Sequence, residues 1–245
     1  MKTSNNTILI TGGSAGIGLE LARILSQQGN RVIITGRDKE RLEQAAAAIP
    51  GINAIACDVT KDKDVTNLIQ ILERDFPTLN ILINNAGKAY AYRLTDKAQA
   101  FEKAADEMLT NYLSVIHLTE RLLPQLNQQP EAAIVNVSSV LAFAPFAGAP
   151  TYAASKAALH SYTQSLRLTV APIHVFELMP PLVNTAFSQE IGGSKGIPPQ
   201  QVATEFLLAL EKNEYEIHVG GTAQLYQLMR SDSPAAALQA INNGR

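Results

Sequence analysis

Cysteine occurs once in the 245 residues. A lone Cys57 excludes an internal disulfide framework and a thiolate zinc cluster. Its apolar surroundings mark it as a small buried hydrophobe. An excess of positive charge is also missing. Twenty Lys and Arg face 22 Asp and Glu, for a net charge of −2, so no basic face for nucleic acid is implied. Runs of like charge, internal repeats and low-complexity tracts are absent, as is a linker that would divide two domains. His117, His160, His174 and His218 are scattered without ligand spacing, and no metal is expected. Residues Met1 to Asn6 lack the basic and apolar regions of a secretion signal. The uncharged stretch Ala132 to Ser155 has the length of a membrane span, but Asn136, Pro145, Gly148 and Pro150 interrupt it. The expectation is a soluble, cytoplasmic chain with no membrane partner.

What the chain has is apolar content, 46% against 17% charged, enough for one large core over residues 1–245. Short β-rich runs alternate with longer helical patterns. Strands are expected at Thr7–Thr11, Arg31–Thr35, Asn53–Cys57, Asn80–Asn84, Ala133–Val137, Ile173–Leu178 and Glu216–Val219. Helices are expected at Gly16–Gln28, Lys39–Ile49, Lys61–Asp75, Ala98–Leu126, Tyr152–Thr169 and Pro199–Lys212. Strands apolar on both faces and separated by helices imply a parallel sheet covered on both sides. Right-handed crossovers make that a doubly wound α/β fold with seven strands. The glycine-rich composition of Thr185–Pro198 predicts a mobile loop.

The first strand leads into Thr11-Gly12-Gly13-Ser14-Ala15-Gly16-Ile17-Gly18, which opens a helix. Gly12 lets the chain turn, Gly16 clears the approach of a ligand backbone, and Gly18 lets helix and sheet close together. The helix N-terminus then offers N–H groups and a positive dipole to a pyrophosphate. After the second strand come Gly36, Arg37 and Asp38. An acid at this strand end reads a ribose 2′-hydroxyl, whereas an Arg accommodates a 2′-phosphate. Arg37 favours NADP(H) over NAD(H); Asp38 reads as the cap of the helix that follows. The plainer reading makes Arg37 a solvated surface charge.

Taken with these, Asp58-Val59, Asn84-Asn85-Ala86-Gly87, Asn111, Ser138-Ser139 and Tyr152-Ala-Ala-Ser-Lys156 make the chain resemble the short-chain dehydrogenase/reductase family along nearly its whole length. Pro180-Pro181, where many members carry Pro-Gly, resembles the DltE-like branch. The resemblance implies a Rossmann-type sandwich. It implies a cofactor cradle of Gly12, Ser14, Gly16, Ile17, Gly18 and Arg37. Asp58 would bond the adenine amino group with Val59 beside it, and Asn85, Ala86 and Gly87 would line the adenosine ribose. Val183 and Thr185 would hold the carboxamide, and Pro181 reshapes the wall there. It further implies homodimers or homotetramers through the helices Ala98–Leu126 and Tyr152–Thr169.

Tyr152 and Lys156 stand at i and i+4 on one helix face. A nearby ammonium is expected to lower the phenol's pKa, so that Tyr152 exchanges a proton with the substrate oxygen. Lys156 would also bind the nicotinamide ribose hydroxyls. Ser139 lies 13 residues before Tyr152, and by the resemblance it polarises the carbonyl. Its neighbour Ser138 should point the other way. Asn111 would hold a water beside Lys156 in a proton relay. The cofactor carries the hydride, and the resemblance suggests pro-S transfer.

Leu141, Phe143 and Phe146 suggest an apolar pocket wall, with core packing an equal alternative. Lys88 and Tyr90 approach the pocket mouth, where Lys88 either attracts an acidic group or is simply solvated. The leading expectation is carbonyl reduction of a small apolar ketone or aldehyde, with Thr185–Pro198 closing over it. Two rivals remain: a silent NADP(H)-sensing or scaffold protein, and an NAD-dependent polyol or steroid alcohol dehydrogenase.

Overall fold

Alternating β-branched and leucine side chains fill both faces of the central strands, as the sequence requires of a sheet sandwiched between helices. In the computed structural model, which describes residues 1–231, 239 and 241–242, seven strands form one parallel sheet. They are β1 (Thr7–Thr11), β2 (Arg31–Gly36), β3 (Asn53–Ala56), β4 (Leu79–Asn84), β5 (Ala133–Val137), β6 (His174–Met179) and β7 (Glu216–His218). Their order is β3-β2-β1-β4-β5-β6-β7. Leu9 of β1 pairs with Ile33 on one side and Leu82 on the other. The chain therefore leaves β1 in opposite directions toward β2 and β4, and this switch point opens a crevice at the strands' carboxyl ends.

One face carries Ile8, Ile10, Ile34 and Phe176. It is covered by α1 (Gly16–Gln27), α2 (Lys39–Ala47) and α7 (Pro199–Lys212), and Leu21, Leu42 and Phe206 seal it. The other face carries Leu9, Ile33, Leu82 and Ile134. It lies under α3 (Asp62–Asp75), α5 (Ser114–Leu126) and α6 (Pro150–Thr169), which contribute Leu68, Leu118 and Leu166. Cys57 is buried there. No helix among the described residues is long and apolar enough to cross a membrane.

Four local features depart from the sequence reading. The helix expected over Ala98–Leu126 is α4 (Ala100–Met108), a π-turn at Leu109–Leu113 and α5. The π-turn accommodates one extra residue and puts Asn111 inside the fold. Helix α6 starts two residues before Tyr152, at Pro150, whose fixed φ suits the first turn. The 185–198 segment contains 3-10 turns at Ala186–Ile191 and Gly193–Lys195. Its ends are tied by Asn184 N–H to Ile197 C=O (2.8 Å) and Ile197 N–H to Leu182 C=O (3.0 Å). Finally, α8 (Thr222–Arg230) follows β7, where no helix was expected.

Candidate active site

The turn between β1 and α1 is tight because its glycines allow it. Gly12 and Gly16 have φ of +65° and +53°, a region costly for other residues. A Cβ on Gly18 would stand 2.4 Å from both Asn85 Nδ2 and Gly12 O. That clash explains the glycine: the loop after β4 is fastened here. Asn85 Nδ2 donates to Thr11 O (2.9 Å) and Gly12 O (3.1 Å). Thr11 Oγ1 accepts from the N–H groups of Asn85 and Ala86, each at 3.0 Å. No side chain caps α1, so its first N–H groups remain for a ligand.

A cleft of about 650 Å³ begins at this turn. Gly12, Gly16, Ile17, Arg37, Asn85, Ala86 and Gly87 line its first part, and Val183 and Thr185 face them. Thr185 Cγ2 would lie 3.1 Å from a Cβ on Gly16, so the glycine sets the cleft's width there. Asp38 caps α2, accepting from Arg41 N–H at 3.0 Å. That leaves Arg37, joined by Arg41, as the charge on the cleft wall. Arg41 escaped the sequence reading because it arrives one helical turn beyond the strand end.

Arg37 also borders a second cavity of about 300 Å³ with Cys57, Asp58, Lys61 and Asn67. Burial pushes the Asp58 carboxyl up. Two bonds from Thr60 and the charges of Arg37 and Lys61 outweigh it and hold the group below its ordinary value. Three expected cofactor residues stand back from these walls. Val59 packs in the core beneath the sheet, Ser14 supports Gly36, a Cβ there lying 3.3 Å from its Oγ, and Gly18 sits behind the turn.

The same cleft continues past Ser139, Tyr152 and Lys156. Ser138 and Ser139 diverge as the extended chain requires. Ser138 Oγ donates to buried Glu177 Oε1 at 2.5 Å, whereas Ser139 lies close enough to the Tyr152 phenol to oppose part of the rise in its pKa. Ser139 Oγ also accepts from Leu141 N–H at 3.1 Å. Lys156 Nζ donates to Val137 O at 2.8 Å and lies 5.7 Å from the Tyr152 ring centre.

The expected lowering of the phenol's pKa by Lys156 is corrected here. Burial raises the Tyr152 pKa, and Ser139 offsets only part of that effect. Burial also lowers Lys156 to about 8, with Glu177 opposing. An enclosed phenol loses more from desolvation than its Ser139 neighbour returns.

Asn111 is fully buried. Its Nδ2 donates to Lys88 O (2.8 Å) and Ser155 Oγ (2.9 Å), and its Oδ1 accepts from Lys88 N–H (2.8 Å). The amide is thus committed, and its side chain is not the part that could hold a relay water. Lys88 does not line the cleft. Its ammonium is paired with Asp106, which also accepts from Tyr90 Oη at 2.5 Å.

Beyond Tyr152 the described lining is mainly apolar, with Leu141, Pro181, Phe187, Ile191, Leu225 and Ile241 beside Ser188 and Thr222. Phe187, 49% exposed, lies 6.0 Å from Tyr152 between ring centres. Of the three wall residues expected, only Leu141 reaches the cleft. Phe146 packs in a small core with it, and Phe143 rests on Tyr226. Leu225 and Ile241 come from segments with no sequence signal for the pocket.

A family model described as short chain dehydrogenase matches residues 6–195. The chain is 41% identical over 224 residues to an uncharacterized oxidoreductase, DltE, of Bacillus subtilis (strain 168), covering 89% of each chain. Among solved structures it is similar to a short chain dehydrogenase from Burkholderia cenocepacia J2315 in complex with NADP. That likeness has a TM-score of 0.87 and 26% identity, over 100% of both chains. A short chain dehydrogenase/reductase from Burkholderia phymatum in complex with NAD has a TM-score of 0.85 at 20% identity, covering 100% of this chain and 98% of that one.

Proposed function

The chain belongs to the short-chain dehydrogenase family of oxidoreductases, and from that premise we propose that it reduces an apolar ketone or aldehyde with NADPH, reversibly. The observation that carries this reading is the single cleft joining the glycine turn and Arg37 to Ser139, Tyr152 and Lys156. Its glycines fit a dinucleotide, since the turn leaves α1 uncapped and keeps Gly16 clear of side chain.

When bound, NADPH supplies the hydride. The protein's part is to bind, orient and move one proton. Gly12, Gly16, Ile17 and the α1 amides receive the pyrophosphate. Arg37 and Arg41 supply planar cations for a 2′-phosphate. Asp58 and Arg37, which border the second cavity, would hold the adenine end, and Val183 and Thr185, which line the cleft, would take the carboxamide side. Ser139 Oγ donates to the substrate oxygen. Tyr152, whose buried phenol keeps its proton at neutral pH, delivers it to the forming alkoxide. Lys156, largely an ammonium at pH 7 with a pKa of about 8, binds the ribose hydroxyls and stabilises the phenolate left behind. Asn111 braces the Lys88 turn and Ser155 behind Lys156. Among the described residues, the substrate end presents no charged side chain beyond Lys156, which favours neutral apolar carbonyls. A silent sensor has no observation in its favour beside this set.

The test is a panel of ketones and aldehydes followed by NADPH absorbance. Tyr152→Phe should lower turnover by about 10²–10⁴-fold with NADPH affinity nearly unchanged. Undiminished turnover in that variant would assign the proton to another group.

A further inference from the structure

Three successive residues at the end of β5 each hold a different group. Val137 O accepts from Lys156 Nζ at 2.8 Å. Ser138 Oγ donates to Glu177 Oε1 at 2.5 Å. Ser139 Oγ accepts from Leu141 N–H at 3.1 Å and lies beside the Tyr152 phenol, opposing part of the rise in its pKa. The middle bond is anchored within the sheet, because Glu177 lies on β6, opposite Asn136 in register, and is wholly buried. A buried carboxylate is costly unless its lone pairs are filled. Here they are filled from two sides. His160, one turn beyond Lys156 on α6, approaches with Nδ1 2.8 Å from Oε2 and 3.0 Å from Oε1, and its other ring nitrogen lies 3.2 Å from Gln164 Nε2. Nothing in the hydride or proton steps above uses Glu177. It does not line the cleft.

We propose that Glu177 is a positioning residue for the reacting groups: through Ser138 it clamps the end of β5 that aims Lys156 and Ser139, and its carboxylate is the negative charge behind the Lys156 ammonium. The clamp explains why Ser138 and Ser139 diverge without exchanging places, since only one hydroxyl can reach Glu177. The charge explains why an ammonium tolerates so enclosed a place. Burial alone drives Lys156 toward the neutral amine, and Glu177 opposes it. The other titratable and charged groups around Glu177 are His160 on α6, Glu216 and His218 on β7, and Tyr226 and Arg230 on α8.

The proposal takes the roles of Tyr152, Lys156 and Ser139 from the functional reading above, but its test needs no substrate. Lysine labelled with the heavy nitrogen isotope reports the Lys156 Nζ resonance directly, assigned by its loss in Lys156→Arg. In the full wild-type chain that resonance should titrate at about 8. In Glu177→Gln, which keeps the shape and removes the charge, the midpoint should fall by about one unit. Glu177→Asp, which restores the charge, should bring it back toward wild type. An unmoved midpoint in Glu177→Gln overturns the proposal. Should that variant be recovered unfolded, Ser138→Ala decides: release of the strand end must displace the Lys156 resonance, and an unmoved resonance overturns the proposal. A barren carbonyl panel alongside these shifts would defeat the proposed reaction and leave the positioning role standing.

Discussion

A phenol that surrenders its proton only late in the reaction must first be able to keep it. Tyr152 can, because it is enclosed, and in the reaction we propose Lys156 would contribute once the phenolate forms rather than before. The pairing of Tyr152 with Lys156 and the divergence of Ser138 from Ser139 were legible in the sequence, since both follow from helical and extended periodicity. The sign of the pKa shift was not, because desolvation depends on what the whole fold places around the ring. Lys88 was opaque for a related reason: Asp106 lies on a different element, and a linear reading pairs charges only within helical spacing. Arg37 carries the residue-level prediction. Arg37→Ala should weaken NADPH binding about ten- to a hundredfold, as expected for one charge-assisted bond, and leave NADH binding nearly unchanged. Fluorescence titration of both cofactors checks this, and equal losses for the two would remove Arg37 from phosphate recognition.

Strands and most helices were readable to within two residues, because side-chain periodicity is fixed by backbone geometry. The π-turn at Leu109–Leu113 was not, since one extra residue hardly disturbs an apolar pattern spread over a long helix. Helix α8 was missed because it buries only Thr222 and so carries no core-facing stripe. On α6, the bond to Glu177 raises the His160 pKa above its ordinary 6.5 against the pull of burial. The folded chain therefore holds this proton more tightly than the unfolded one. The stabilisation is complete below 6.5 and is lost as pH rises through the raised value. Thermal unfolding midpoints should fall with pH across that window in the wild type, and His160→Gln should flatten the fall. An equally steep fall in the variant would assign the slope to another group.

At the scale of the whole molecule, α4, the π-turn and α6 expose Phe101, Leu109, Leu113 and Leu168. We propose that these exposed apolar side chains are where a homodimer or homotetramer is built. Sedimentation at micromolar concentration should find no dominant monomer, and Leu113→Glu should shift the population toward monomer. A monomeric wild type would overturn the assembly. The parallel sheet was legible from the alternation of its elements, whereas the part played in the cleft by Leu225 and Ile241 was not, because only folding brings those late segments against Leu141 and Tyr152. The lining of that cleft divides along the chain: the walls at the glycine turn and Arg37, where we propose the pyrophosphate and adenosine bind, come largely from residues up to Gly87, and the apolar end from Val137 onward. A recombinant joined to a relative in the connection between α5 and β5 would thus inherit its coenzyme preference from one parent and its choice of carbonyl from the other.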